Sequence, residues 1–172
     1  CNVTTPTSAP CLTDTDFKTA IADCLAEDPV NGVCCNSTYG PMPTWCVANV
    51  TDFSEAFQHP DAADDKSLHP DAEVGYKEFN GDITSWDTSS GTSFERMFFD
   101  ARAFNQPIGE WDTGASTSFE SMFLDAHAFN QPIGQWDVGA STSFAYIFYN
   151  AAAFNQPIAE WDTTDATTTY MF

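Results

Sequence analysis

Trp86, Trp111, Trp136 and Trp161 recur at a fixed spacing of 25 residues, each inside a copy of one sentence. Three copies read nearly alike: FNQPIGEWDTGASTSFESMF from Phe104, FNQPIGQWDVGASTSFAYIF from Phe129 and FNQPIAEWDTTDATTTYMF from Phe154. A period of this length restricts the chain to architectures in which each repeat is one unit that buries its apolar face against the next. Two further copies extend the array. FNGDITSWDTSSGTSFERMF starts at Phe79, and YGPMPTWCVANVTDFSEAF from Tyr39 keeps Trp45, Phe53 and Phe57. The step from Trp45 to Trp86 is 41 residues, one period plus 16, and the excess falls in an acidic insertion at about 58–78. An insertion leaves such a stack through one face, so the units on either side are expected still to meet.

Within the unit from Phe104 to Phe129, Ser116-Thr117-Ser118-Phe119 has the β-branched and hydroxyl character of a short strand. In the segment ESMFLDAHAF, Met122, Phe123, Ala126 and Phe129 fall on one face at helical spacing, and Asn130-Gln131-Pro132 then stops the helix. The expected fold is therefore a repeat solenoid, leucine-rich-repeat-like, with one short strand and one short helix per coil. Five coils occupy 39–172, and a small disulfide-bonded helical cap occupies 1–38. In that cap, Thr13 or Thr15 starts a helix that buries Phe17, Ile21 and Leu25. Stacking like on like makes a ladder of Asn80, Asn105, Asn130 and Asn155. The same logic stacks Asp87, Asp112, Asp137 and Asp162, each expected to accept amides in its own turn.

All six cysteines, Cys1, Cys11, Cys24, Cys34, Cys35 and Cys46, lie in the first 46 residues. An even count in a small segment without a zinc-type spacing reads as disulfides made in an oxidising compartment. The connectivity stays open, except that the neighbours Cys34 and Cys35 are expected to take different partners. Asn2, Asn36 and Asn49 begin N-x-[ST] sequons, which agree with a secreted, N-glycosylated product. The chain opens at Cys1 without an apolar signal segment and reads as a mature form. A lipid on Cys1 is the rival reading, and it leaves an odd number of cysteines to pair.

Five Lys and Arg stand against 25 Asp and Glu, a net charge of −20. That charge repels nucleic-acid phosphates and anionic lipid, and no apolar run is long enough to span a membrane. The insertion offers Asp61, Asp64, Asp65 and Asp71 as oxygen ligands for Ca2+, but in no EF-hand order. The preferred reading there is a solvated acidic loop with no cofactor. His127 occupies a slot that Arg102 and Ala152 fill in the flanking units, and no nucleophile, P-loop or zincin motif is present. The chain is expected not to be an enzyme.

The frame F-N-Q-P-I-x-x-W-D-[TV], followed by M-F-x-x-A-x-x-F-N, resembles the BspA-like surface-protein repeat of mycoplasma-type lipoproteins and of protist and algal surface proteins. The likeness covers 39–172. The S-N-V-T that usually precedes the strand survives only in Ala48-Asn49-Val50-Thr51. The resemblance implies a leucine-rich-repeat-like surface solenoid used in adhesion or surface architecture, and it carries over no catalytic residue.

Tyr170, Met171 and Phe172 close the last copy at its Met-Phe step, where a polar capping repeat is expected. Either further chain or another molecule is expected to cover them. The functional expectation is a secreted or cell-surface structural glycoprotein that forms homo-oligomers or filaments end to end. The alternative is an adhesin or receptor ectodomain that binds protein or glycan through one face.

Overall fold

A computed structural model of the chain describes residues 10–58 and 73–172. The helix α1, Asp14–Glu27, follows Thr13, whose extended backbone makes it the N-cap residue. The Thr13 hydroxyl makes no cap bond to the helix; it donates instead to the Asp16 carboxylate at 3.0 Å. Phe17, Ala20, Ile21, Cys24 and Leu25 form the buried stripe, at the i, i+3, i+4, i+7, i+8 spacing of an amphipathic helix. Phe17 sets its ring edge-on against Phe53 at 5.2 Å and Trp86 at 5.5 Å, so α1 packs on the first repeat units. Disulfides Cys11–Cys46 and Cys24–Cys34 fasten the segment at two points.

The repeats do not form the strand-plus-helix coil. Among the described residues no strand is longer than an isolated bridge, and no helix lies within 79–172. The leucine-rich-repeat-like solenoid expected from the sequence is thereby overturned. Each unit instead contributes one parallel bridge to the next, in the series Asp52, Ser93, Ser118, Ser143 and Thr167.

The reason lies in where the backbone amides go. Phe119, Ser121, Phe123 and Asp125 donate to the carbonyls of Ser143, Ala145, Ile147 and Tyr149 in the following unit, at 2.9 to 3.0 Å. An α-helix would need those same N–H groups for carbonyls four residues back. The intervening amides of Met122, Leu124 and Ala126 close onto carbonyls three residues back, as in tight turns. Ser121 and Asp125 hold φ of 55° and 59°, a left-handed conformation that a right-handed helix excludes. The segment is therefore a run of turns whose alternate amides belong to the neighbouring unit.

The insertion does not interrupt this register. Phe53, Glu55 and Phe57 donate to Ser93, Glu95 and Met97 at 2.8 to 3.0 Å, and Trp45 stacks on Trp86 at 6.2 Å. The returning chain forms the short helix α2, Glu73–Glu78.

Two ladders hold successive units together. In the first, Trp86 stacks on Trp111 at 6.5 Å and Trp136 on Trp161 at 6.4 Å, in a core filled by the repeating Phe residues. The indole N–H groups of Trp111, Trp136 and Trp161 donate to the carbonyls of Ile83, Ile108 and Ile133 in the preceding unit, at 3.1 to 3.3 Å. The ring thus buries its apolar body while its polar handle is satisfied. In the second ladder, the Asn80, Asn105 and Asn130 side-chain oxygens accept the backbone amides of Asn105, Asn130 and Asn155, each at 2.9 Å. Gln106, Gln131 and Gln156 donate to the same oxygens at 2.9 to 3.1 Å.

Candidate functional site

The Asp residues that recur once per unit are spent on their own turns. Asp87, Asp112, Asp137 and Asp162 are exposed, and each accepts the amide two residues on, from Ser89, Gly114, Gly139 and Thr164, at 3.1 to 3.2 Å. The hydroxyl of Ser89 on Asp87 and that of Thr164 on Asp162 hold these two carboxyls below their usual range. No group of three or more possible metal ligands occurs among the described residues. The candidate Ca2+ ligands Asp61, Asp64, Asp65 and Asp71 lie outside them.

Of the glycosylation candidates, Asn2 lies outside the described residues, whereas Asn36 and Asn49 are exposed. The Asn36 amide nitrogen, the atom a glycan would take, donates to Glu27 at 3.1 Å. Asn49 carries a bridge to Thr13 through its backbone, which leaves its exposed side chain clear of that contact. Among the cysteines, Cys34 pairs with Cys24, and its neighbour Cys35 is disulfide-bonded elsewhere. Cys1 is outside the described residues.

One carboxylate locks the cap to the array. Asp14, in the first turn of α1, accepts the amides of Thr51 at 2.7 Å and Asp52 at 3.0 Å and the Thr51 hydroxyl at 2.8 Å. The Asp52 amide is the largest of the influences that together hold the Asp14 carboxyl below 3.8. A depressed folded-state pKa contributes stability above the unfolded value, and that stability is lost as pH falls through the folded one. The Asp14→Asn variant should therefore melt lower than the wild type at neutral pH. The gap should close as pH drops below about 4. A gap that persisted unchanged in acid would remove the carboxylate charge from the explanation.

The outer face of the 154–172 unit, called the end face below, carries Tyr170, Met171 and Phe172. Met171 and Phe172 repeat the slots that Met122 and Phe123 fill in the core, yet Phe172 is 68% exposed. Tyr170 does not belong to that set. Its counterparts Arg96, Ser121 and Tyr146 all stand at left-handed corners, with φ of 53°, 55° and 58°, and Tyr170 itself has φ 49°. Among the described residues, the amides of Thr168, Tyr170 and Phe172, equivalent to those that Phe144, Tyr146 and Phe148 give to the following unit, have no acceptor.

A feature that the repeat pattern did not disclose sits beside this face. Tyr146 packs edge-on to Tyr149 at 6.0 Å and stacks on Tyr170 at 5.3 Å, which makes an exposed cluster of three phenols. The signal was in the sequence as a departure from the repeat: Ser121 and Leu124 stand one unit earlier.

Residues 67–172, well over half of the chain, match the family described as Mycoplasma protein of unknown function, DUF285. The chain belongs to this family. Its DUF285 region contains the Asn ladder, four of the five stacked tryptophans, the end face and the tyrosine cluster; α1 and the disulfides precede it. No curated protein and no solved structure matches the chain. No described helix is long and apolar enough to cross a membrane.

Proposed function

We propose that this DUF285 protein is a non-enzymatic structural protein of the extracellular surface, glycosylated at exposed sequons, whose copies pair end on. The observation that carries the reading is the commitment of the repeating polar groups to holding units together. The Asn oxygens, the Trp N–H groups and the alternate turn amides bond unit to unit, and the Asp carboxylates bond their own turns. Little chemistry is left for a reaction centre. The described disulfides, Cys11–Cys46 and Cys24–Cys34, and the exposed Asn36 and Asn49 support an oxidising, extracellular setting.

For assembly, the end face offers what any following unit accepts: the three open amides and the exposed apolar surface of Phe172. A head-to-tail contact of this kind propagates when it does not close. The 172-residue chain should sediment as multimers at high concentration, and Tyr170→Asp with Phe172→Asp should leave a folded monomer. A wild-type chain that stays monomeric under those conditions ends the assembly reading. The adhesin or receptor ectodomain, favoured by the exposed tyrosines, then takes its place.

A further inference from the structure

The three exposed tyrosines lie on the part of the molecule with no cation of its own. All lysines and arginines stand at or before Arg102, while residues 103–172 carry eight Asp and Glu. The described cations are also spoken for. Lys18 pairs with Asp52, Lys77 with Asp100, Arg96 with Glu55 and Glu95, and Arg102 with Asp100, all within 4 Å. At the corner where Arg96 stands in an earlier unit, the chain carries Ser121, then Tyr146, then Tyr170. The array thus changes from a face whose cations and carboxylates are paired to an aromatic one bordered by the carboxylates Glu120 and Asp125.

Glu120 and Asp125 supply that border from the unit beneath. The Glu120 carboxylate accepts the Ser143 hydroxyl at 3.0 Å, and the Asp125 amide is bonded to the Tyr149 carbonyl at 3.0 Å. Asp125 also accepts the side-chain amide of Asn150, the residue after Tyr149. Two basic groups stand near Asp125: His127, 3.8 Å away, and the Arg102 guanidinium, whose main partner is Asp100.

The geometry points to a docking site for a Lys- or Arg-rich segment of a partner protein on Tyr146, Tyr149 and Tyr170, with Glu120 and Asp125 as its counter-charges. Phenol faces attract ammonium and guanidinium groups, and the net charge of −20 draws a cationic chain in from a distance. A second copy of this chain is a poor occupant, because its described cations are already paired and it carries the same net charge of −20. Anionic partners are repelled. A neutral sugar would have no use for the charge asymmetry.

The contact does not depend on end-on pairing, and Tyr146 and Tyr149 can be tested without touching the end face. A fluorescent alternating Arg-Gly peptide, titrated into the 172-residue chain at low and at physiological salt, should bind with an affinity that falls as salt rises. The double variant Tyr146→Ser with Tyr149→Ser should bind it roughly tenfold more weakly. Its melting temperature should be unchanged, since Ser121 already holds the same left-handed corner. Equal affinity for variant and wild type would reduce the interaction to diffuse charge attraction and overturn the site. So would binding of a neutral oligosaccharide in place of the peptide, or self-association of the chain, that is lost in the Tyr146→Ser, Tyr149→Ser variant.

Discussion

Trp111→Ala and Phe123→Ala should each destabilise the protein by about 3–5 kcal/mol, the usual cost of deleting a large buried aromatic. Both side chains are buried inside the array, each in ring contact with neighbours in the adjoining units. Trp111→Ala also removes one of the two donors on the Ile83 carbonyl, which the Trp86 amide still satisfies at 3.2 Å, so most of the loss is packing. Glu110 stands next to Trp111 in sequence but is exposed, so Glu110→Ala should stay within roughly 0.5 kcal/mol of the wild type. Denaturant unfolding of the three variants gives the comparison. Similar losses at Glu110 and Trp111 would mean that the inside and outside of the unit are reversed.

Replacing Cys24 and Cys34 together by alanine should cost about 2–4 kcal/mol, the typical worth of a disulfide of modest loop length. The bond joins buried Cys24 of α1 to buried Cys34, 10 residues on, and so ties the helix to the loop that follows it. Alanine leaves no unpaired polar group behind, so the loss reports the cross-link and a small packing defect. Because α1 packs on Phe53 and Trp86, the variant should also loosen the first repeat units, visible as faster proteolysis near residue 45. An unchanged unfolding midpoint would mean that packing of Phe17 and Ile21 alone seats the helix.

Burial was far more legible in the sequence than the path of the backbone. Met122, Phe123, Ala126 and Phe129 are all buried, as their spacing requires, and the cap helix buries Phe17, Ile21 and Leu25. The same spacing misled the choice of element. A face at i, i+1, i+4 and i+7 is met equally well by a chain of tight turns, and periodicity cannot tell which carbonyl each amide will choose. That choice was made by the neighbouring unit, whose carbonyls take the amides of Phe119, Ser121, Phe123 and Asp125. The hydroxyl-rich Ser116 to Phe119 likewise yields one bridge at Ser118, because the turns on either side leave no room to extend the pairing.

The polar ladders divide in the same way. Identity of residue at every period was enough to place Asn on Asn and to give each Asp its own turn. The indole bonds to Ile83, Ile108 and Ile133 depend on the offset between stacked units, which no single unit encodes. Tyr170 shows the same limit. Its corner accepts Arg, Ser or Tyr, so repeat identity carries no burial signal there, and only the backbone angle separates it from the core slots of Met171 and Phe172.

The central claim is that alternate turn amides are bonded between units and not within a helix. Scalar couplings transmitted through hydrogen bonds, measured by NMR on isotope-labelled protein, read this directly. The amide nitrogens of Phe119 and Phe123 should couple to the carbonyl carbons of Ser143 and Ile147. Couplings that instead link Phe123 and Asp125 to carbonyls four residues back would restore the helical coil and contradict the account.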